Sequence, residues 1–428
     1  MPSVTNEDIK SKYNKHILKP VINEVHVSRG EGSFLVDVAG KKYLDLVAGF
    51  GVNALGYNTE PALKVREVVV DQMNYIWHNP YYLSYMDAPA MLAEKLSCIT
   101  PGHLQKTFFC NSGSEAVEGS IRVARKATGR SEIIAPQRSF FGRTCGAANL
   151  TGLSQDKKGV PLFPGVYHTP APYCFRCGLG LECPQCDLAC ANYLMQVLDY
   201  DTSGDVAAFF VEPILGDVGV VVPPDGYFDR IKSICREKGI LLVVDETLTG
   251  FGRTGRMFAS EYWALEPDVL IMGKALGGGL SLGGFIVTPQ IAETFSTKDF
   301  SSSLGGNTLA CVSGLATINA IEDMHICSHV QKLGDYTKDK LKSLMEKFPQ
   351  VGDVRGLGLF IGVELIDPSN KKAVPEEAVF MKEKLLEKGV FVTIYGGSIL
   401  RLTPPLTISK QEVDIFLNVF EDSLKEMP

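Results

Sequence analysis

The sequence lacks any unbroken apolar run of the ~20 residues that a membrane-spanning helix needs, and it does not begin with the basic-then-apolar layout of a secretion signal. It also lacks short repeats, low-complexity tracts and a strong excess of either charge, since 42 Lys and Arg residues oppose 49 Asp and Glu residues for a formal net charge of −7. Nothing in this balance favours binding to nucleic acid or to an anionic membrane. We therefore expect a cytoplasmic protein with neither nucleic acid nor membrane as a partner.

The length and the apolar pattern predict a large α/β protein. At 428 residues the chain exceeds the usual size of one hydrophobic core, so two or more subdomains are expected. Predicted strands alternate with predicted helices, as a mostly parallel sheet requires. The strands are predicted near 106–110, 132–135, 207–212, 240–245, 268–272 and 284–287, and the helices near 115–128, 226–238, 308–322, 329–347, 375–388 and 410–425.

After residue 310 the pattern shifts to helix–strand pieces, which predicts a smaller C-terminal domain packed with the N-terminal segment. We expect residues 1–55 to belong to this small domain, residues 56–310 to form the large domain, and residues 311–428 to complete the small one. A cysteine-rich insertion is expected at 171–192 within the large domain. The active site would then lie between the domains and at a subunit boundary.

A lysine and an aspartate each follow an apolar run at a predicted strand end. Lys274 follows residues 269–273 and precedes three consecutive glycines at 277–279, and Asp245 follows the apolar run 240–244. Alone, a lysine after a strand is more often solvated, and a strand-end aspartate more often caps a helix. Together, a buried amine and a buried carboxylate at the carboxyl edge of an α/β sheet form the minimal apparatus of a pyridoxal phosphate (PLP) enzyme.

The segment around these two residues resembles a known family. Residues 245–255 read Asp-Glu-Thr-Leu-Thr-Gly-Phe-Gly-Arg-Thr-Gly, and Pro267, Asp268 and Lys274 follow at fixed spacing. This string closely resembles the cofactor segment of the class III (ω-amino acid) aminotransferases, which include the 4-aminobutyrate and ornithine enzymes. The resemblance implies a PLP-dependent transferase fold of type I, a Schiff base between Lys274 and the cofactor, and Asp245 as the group that keeps the pyridine nitrogen protonated.

Residues 108–117 match the family's phosphate turn, because a predicted strand is followed by a small-residue turn and a helix. A helix N-terminus has unsatisfied N–H groups and the positive end of a dipole, so it can hold a phosphate. The resemblance gives this role to Ser112, Gly113 and Ser114. The alternative is an ordinary serine-capped helix, which is the commoner role for a lone Ser-Gly-Ser.

Residues 139–144 match the segment in which the family lays an aromatic ring on the pyridine of the cofactor. The resemblance assigns this position to Phe140. The next residue is often His in the family and is Phe141 here, so any hydrogen bond from a ring nitrogen is lost.

The same resemblance assigns four residues to the substrate. Arg401, within the run 400–406, would grip an α-carboxylate bidentately, as a planar guanidinium can and an ammonium cannot. Glu212 would lie near this arginine and neutralise it when the substrate end has no carboxylate, with a structural ion pair as the alternative role. Arg143 stands where 4-aminobutyrate-type enzymes bind the distal carboxylate, and Phe50 lies in a segment similar to the family's N-terminal substrate wall.

Residues 301–307 resemble the family's Thr-Phe-Gly-Gly-Asn-Pro turn. In the family the hydroxyl of this turn reaches the cofactor phosphate of the neighbouring subunit. Ser303 is therefore expected to do the same, which implies an obligate homodimer or a tetramer built from such dimers.

The chain departs from the family pattern beside the expected cofactor. Leu248 replaces the common Gln that touches the phenolic oxygen of PLP, and Thr247 replaces the Val that packs under the ring. Leu215 and the Asp217-Val218 pair also depart from the usual Gln-Gly-Glu-Gly. An aliphatic residue at position 248 occurs in β-alanine and other ω-transaminases, so transamination is not excluded, but analogy is a weak guide to the substrate.

Five of the eleven cysteines fall between residues 174 and 190. Cys174, Cys177, Cys183 and Cys186 form two Cys-x-x-Cys pairs that could place four thiolates around zinc or an iron–sulfur cluster. The spacer is shorter than in usual zinc ribbons, and no His accompanies it. The alternative is a reduced surface insertion without a ligand, and the expected compartment disfavours disulfides.

The sequence thus predicts a PLP-dependent aminotransferase that moves an amino group from an ω-amino acid, an α-amino acid or an amine to a 2-oxo acid such as pyruvate or 2-oxoglutarate. Lys274 would remove the Cα proton, because desolvation and a nearby cationic ring favour the neutral amine. The enzymatic alternative is an amino acid racemase, epimerase or lyase on the same scaffold. The alternative outside enzymes is a metal-dependent regulatory or structural protein that retains an inactive PLP fold.

Overall fold

The computed structural model describes residues 6–18, 23–296 and 298–427. Its strands, in chain order, are β1 (Val27–Glu31), β2 (Phe34–Asp37), β3 (Lys42–Asp45), β4 (Lys106–Cys110), β5 (Glu132–Pro136), β6 (Val166–Thr169), β7 (Val206–Val211), β8 (Leu241–Asp245), β9 (Val269–Met272), β10 (Gly283–Val287), β11 (Val351–Leu357), β12 (Phe360–Leu365), β13 (Val390–Phe391), β14 (Thr393–Tyr395) and β15 (Ile399–Leu402). Its α-helices are α1 (Asn6–His16), α2 (Ala48–Gly51), α3 (Glu60–Met73), α4 (Asp87–Ile99), α5 (Gly113–Thr128), α6 (Cys145–Leu150), α7 (Ala189–Gln196), α8 (Tyr227–Lys238), α9 (Pro289–Ala292), α10 (Thr308–Asp323), α11 (Ile326–Lys347), α12 (Pro375–Glu387) and α13 (Lys410–Lys425).

A seven-stranded sheet in the order β4-β10-β9-β8-β7-β5-β6 organises the large part of the molecule. Strands β6, β5, β7, β8 and β9 pair in parallel, and β10 runs antiparallel to both of its neighbours. Strands buried on both faces read as continuous apolar runs, and β7 is buried at every position. The predicted α/β fold with a mostly parallel sheet is confirmed.

Helices cover both faces of this sheet, so the large part has three layers. On one face Phe210 and Val243 pack in the same core as residues of α5, and on the other face Phe209 and Val244 pack with residues of α7 and α8. Neighbouring strand residues therefore point to opposite layers. This packing holds the carboxyl ends of β4, β5, β7, β8 and β9 at one edge of the sheet, where parallel sheets place their ligands.

Two four-stranded sheets accompany the large sheet. The order β1-β2-β3-β13 joins the N-terminal strands to the C-terminal part through a parallel pair in which Leu44 faces Val390. The order β11-β12-β15-β14 is antiparallel throughout and carries Arg401 opposite Gly362. The N-terminal segment thus packs with the C-terminal part, while the domain bounds at residues 55 and 310 stay a prediction.

The predicted strands and helices of the large and C-terminal parts lie within a few residues of those in the structure. Among the elements that the sequence patterns missed are the strands β1–β3 and β6 and the helices α3, α4, α6 and α7. None of the helices in the described ranges combines the length and the apolar character needed to cross a bilayer.

Candidate active site

Loops at the carboxyl edge of the seven-stranded sheet enclose a cavity of about 180 Å³. Its walls come from the segments that follow β4, β5, β7, β8 and β9. The residues that line it are Ser112, Gly113, Ser114, Phe140, Phe141, Gly142, Glu212, Asp217, Asp245, Thr247, Leu248, Thr249 and Lys274. The fold therefore brings together the predicted lysine, both predicted carboxylates, the small-residue turn and the aromatic residue.

Lys274 begins a short turn directly after β9, with its backbone in the left-handed region at a φ of 47°. This conformation costs a non-glycine residue of order 1–3 kcal/mol and is concentrated at functional sites. Desolvation lowers the pKa of the Lys274 amine, while the charges of Asp217 and Asp245 act in the opposite direction. The amine is thus biased towards the neutral form that a base or nucleophile needs.

Asp245 ends β8 and is only 7% exposed. Its Oδ1 accepts the Thr247 N–H at 2.9 Å. Burial raises the pKa of the carboxyl, and hydrogen bonding by Thr247 and the charge of Lys274 partly offset this rise. Burial disfavours the ionised form of Asp245. A ligand that places a positively charged N–H group beside this carboxylate would stabilise that form.

Glu246, the next residue, has a structural role. Its carboxylate accepts the N–H groups of Ala259 and Ser260 and the hydroxyls of Ser260 and Thr249. It does not line the cavity. The two adjacent carboxylates therefore have different roles. Asp245 faces the cavity, whereas Glu246 holds the segment at 259–260 in place.

The turn at 112–114 opens the 16-residue helix α5. Ser112 caps this helix, since its Oγ accepts the Glu115 N–H at 3.2 Å, so the alternative role predicted for this serine is present. The N–H groups of Gly113 and Ser114 have no hydrogen-bond partner among the described residues. These two N–H groups and the positive end of the helix dipole could bind an anion at this turn.

A glycine at position 142 allows the neighbouring loop to close over this turn. Gly142 has a φ of 135°, and a Cβ there would lie 2.3 Å from the Ser114 Oγ. The same hydroxyl accepts the Arg143 N–H at 3.2 Å. Any larger residue at 142 would separate the loop that carries Phe140 from the helix N-terminus.

Glu212 follows β7 and holds two loops together. Its Oε1 accepts the Phe140 N–H at 2.8 Å, and its Oε2 accepts the Gly216 N–H at 3.1 Å. Burial raises the pKa of the Glu212 carboxyl to about 8, with the charge of Asp245 acting in the same direction. A large fraction of Glu212 is therefore neutral near pH 7.

Arg401 lies on β15 with its side chain only 2% exposed, and it is paired with an acid that the sequence did not single out as a site residue. Its Nη1 lies 2.7 Å from Asp217 Oδ1, and its Nη2 donates to the Tyr395 hydroxyl. Glu212 is not among the ion-pair partners of Arg401 in the described residues, and each of its two oxygens accepts one backbone N–H instead. In the sequence, position 217 stands out only as a departure from the family pattern, and Tyr395 carries no local signal.

Arg143, Phe50 and Ser303 do not line the cavity. The Arg143 side chain is 72% exposed, pairs with Asp156 at 2.7 Å, and places its guanidinium carbon 5.3 Å from the centre of the Phe140 ring. Phe50 has a left-handed backbone and lines a separate cavity of about 490 Å³. Ser303 is exposed on the surface of the chain.

The cysteines of the insertion do converge, but not as a metal site. Cys174, Cys177, Cys183, Cys186 and Cys190 line one small cavity of about 20 Å³, and all are free thiols. Within residues 6–18, 23–296 and 298–427, no group of three or more His, Cys, Asp or Glu residues could hold a metal ion. Burial raises the pKa of Cys174 to about 12 and that of Cys190 to about 11, so these two thiols are protonated near neutral pH when no metal is bound. The expectation of zinc or an iron–sulfur cluster is therefore not supported.

The fold and the lysine–aspartate cavity define a PLP-dependent enzyme of fold type I. The family model for class-III aminotransferases matches residues 18–424. The chain is 36% identical over 394 residues to the leucine/methionine racemase of Thermococcus litoralis, covering 91% of this chain and 88% of that protein. It is 33% identical over 424 residues to the acetylornithine aminotransferase of Methanothermobacter thermautotrophicus, covering 99% of this chain and 100% of that protein.

A solved structure agrees with these sequence relatives. The (S)-enantioselective ω-transaminase of Thermomicrobium roseum superposes with a TM-score of 0.91 at 31% identity, covering 98% of each chain. The chain belongs to the class III aminotransferase family and is a PLP-dependent aminotransferase.

Proposed function

We propose that the 180 Å³ cavity holds PLP and that the enzyme transfers an amino group from an ω-amino acid or amine to a 2-oxo acid such as pyruvate or 2-oxoglutarate. One observation carries this proposal. A buried carboxylate, an amine biased towards its neutral form and the open N-terminus of a long helix meet in a single cavity.

The cavity residues fit the chemical parts of PLP. The N–H groups of Gly113 and Ser114 suit a phosphate, and the carboxylate of Asp245 suits a ring nitrogen that must stay protonated. Phe140 presents a ring beside the cavity, and Lys274 presents the amine to which the cofactor is attached. Bound PLP would supply an electron sink for the substrate Cα. The Lys274 Nζ would then be the base that takes the Cα proton and the acid that returns it to a different atom.

Arg401 and Arg143 are proposed to bind the two ends of the substrate. Arg401 is deeply buried on β15 and suits a carboxylate next to the reacting carbon, whereas the exposed Arg143 borders the cavity through Phe140 and suits a distal carboxylate. The Asp156 partner of Arg143 would have to release it for this role. The Arg143 side chain is 72% exposed, but that of Asp156 is only 10% exposed, so release of Arg143 leaves a largely buried carboxylate without this partner.

Replacing Arg143 by alanine should reduce kcat/KM for an ω-amino acid about tenfold or more, since a charge-assisted hydrogen bond to the distal carboxylate is lost. The matched amine without that carboxylate should be unaffected. Steady-state kinetics with 4-aminobutyrate and butylamine measure the two values. Arg122→Ala, at an exposed arginine on α5, serves as the control. An unchanged preference between the two donors would remove Arg143 from the substrate site.

Racemisation is the second candidate function, because a racemase is among the relatives of similar identity. The same lysine and cofactor can return the Cα proton to the opposite face of the substrate. Incubation with one enantiomer of an amino acid, without any 2-oxo acid, separates the two functions. Because no 2-oxo acid is present, amino transfer should stop once the donor's amino group has passed to the cofactor. This change in the cofactor should be visible in the absorption spectrum. Racemisation with an unchanged spectrum would contradict the proposed transfer.

We also propose that the enzyme is a homodimer in which Ser303 reaches the partner's cofactor phosphate. Large apolar side chains lie exposed in the segment 75–85, including Trp77, Leu83 and Tyr85, and Leu304 is exposed beside Ser303. The imidazole of His78 donates to the Ser303 carbonyl, which joins the two exposed segments into one surface. Such a surface favours burial against another subunit. Sedimentation velocity should give the mass of a dimer, and a monomer at micromolar concentration would contradict it.

A further inference from the structure

Two cysteine thiols of the insertion at 171–192 form a close pair. Cys174 begins the short turn Cys174–Arg176, and its thiol shares a hydrogen bond with the thiol of Cys183. Both residues are exposed, whereas Cys177, Cys186 and Cys190 are half-buried. Accessible thiols that lie next to a second, resolving cysteine are the ones that proteins oxidise reversibly.

The surroundings of this pair favour a reaction between the two sulfurs over the binding of a ligand. The cavity that they line has a volume of only about 20 Å³, which leaves room for about one water molecule. Gly178 and Gly180 lie between the two cysteines, and a Cβ at either glycine would meet no atom within 4 Å. The loop between the cysteines therefore has open space in which to adjust as the sulfurs approach each other.

The residue before Cys174 connects the thiol pair to the wall of the active-site cavity. Tyr173 is buried in a small apolar core together with Leu215, Val218 and Val221. These three residues belong to the loop 215–221, which also carries Asp217 into the cavity. The segment that contains Cys174 thus forms the support on which this loop rests.

A buried ionic network joins the same two parts of the molecule. The Tyr173 hydroxyl donates to the carboxylate of Glu364, which also accepts from Arg355 Nη1 at 2.7 Å. The Arg355 Nε in turn donates to the Gly219 carbonyl at 3.0 Å. Because Tyr173 holds the loop through both sets of contacts, a covalent link at position 174 would restrain local opening of the whole unit.

We propose that Cys174 and Cys183 form a reversible dithiol–disulfide site whose oxidation by a peroxide makes the active-site loop 215–221 more rigid. Hydrogen peroxide first converts one thiol to a sulfenic acid and releases one water, and the second thiol then displaces a second water from that sulfur. Two S–H bonds break, one S–S bond forms, and the two electrons and two protons reduce the peroxide to water. The site does not depend on whether the enzyme transfers or racemises amino acids.

Peptide mapping of the PLP-loaded enzyme tests the covalent part. Cleavage after Lys and Arg gives one peptide, 159–176, in which Cys174 is the sole cysteine, and a second peptide, 177–230, which contains Cys183. After treatment with hydrogen peroxide and blocking of free thiols, the two peptides should appear as one species that is two hydrogens lighter than their sum. A phosphine reductant should separate them again.

Matched serine variants identify the partner of Cys174. Cys183→Ser should abolish the linked species, whereas Cys186→Ser removes another thiol of the same cavity and should keep it. Cys98→Ser, at an exposed cysteine on α4, should also keep it. A link that survives in Cys183→Ser, or oxidation that the phosphine does not reverse, would overturn the assignment.

Hydrogen exchange followed by mass spectrometry tests the effect on the loop. Oxidation of the parent enzyme should slow amide exchange in the segments 171–190 and 215–221 by about threefold or more, because the cross-link disfavours their local opening. Peroxide-treated Cys183→Ser and Cys174→Ser should show no such slowing. If the disulfide forms but exchange in 215–221 is unchanged, the thiol pair does not control the active-site loop.

Discussion

Replacement of Lys274 by alanine should lower the rate of amino transfer by at least about 10³-fold, because it removes both the point of covalent attachment and the base for the Cα proton. The structure gives this residue two features suited to that work, a left-handed backbone that aims it from the end of β9 and a desolvated amine with a lowered pKa. An added small amine can supply a base but not the position, so it should restore only part of the rate. Single-turnover kinetics with a saturating donor measure the loss.

The covalent attachment can be checked apart from the rate. Borohydride reduction of the PLP-loaded protein, followed by peptide mapping, should place the pyridoxyl mass on the peptide that contains Lys274. The exposed Lys332 provides a matched control, and Lys332→Ala should keep both the label and the rate. A label on another lysine, or none on protein supplied with PLP, would remove Lys274 from the centre of the mechanism.

Asp245→Asn should reduce amino transfer about 10²-fold or more, because an amide cannot stabilise a proton on a pyridine nitrogen as a carboxylate does. The same change should stabilise the cofactor-free protein. Burial raises the pKa of Asp245 in the folded state above its ordinary value of 3.8, so folding opposes its ionisation. The cost is absent at acid pH and grows as the pH rises through the unfolded and then the folded pKa, so the variant should gain most near neutral pH.

Thermal unfolding of the cofactor-free protein at pH 4 and pH 7, together with kinetics at pH 7, tests both parts of this prediction. Glu246→Gln is a sharp contrast at the neighbouring carboxylate. Glu246 accepts four hydrogen bonds, two of them from backbone N–H groups. A glutamine at this position would have an NH2 group in place of one oxygen, and this group would face N–H or O–H donors that it cannot accept from. The Tm of Glu246→Gln should therefore fall. A lower Tm for Asp245→Asn at pH 7 would contradict the proposed burial cost.

Much of the fold and part of the site could be predicted because their causes are local. An apolar run followed by a polar residue marks a buried strand end, and the carboxyl ends of parallel strands meet at one edge of the sheet. Asp245, Lys274, Glu212 and the turn at 112–114 therefore converge in the structure as the sequence suggested. The motif at 245–255 predicted the family, and the match of the class-III aminotransferase model to residues 18–424 confirms it.

The partners of these residues could not be predicted, because they depend on register between distant segments. Arg401 and Asp217 are 184 residues apart, and nothing in either local sequence says which acid faces the guanidinium. Phe50 fits the family's motif, yet the left-handed backbone at 48–51 places it in a separate cavity. The spacing of the cysteines suggested a metal, whereas their geometry does not support one.

The sequence by itself determined the α/β class, the strand ends that carry the reacting lysine and aspartate, and membership of the family. Only the tertiary structure decided that Asp217 pairs with Arg401 and that Glu212 holds two loops together. The physical reason is that hydrophobic periodicity reports burial along one element, whereas an ion pair or hydrogen bond requires the position and direction of two elements at once.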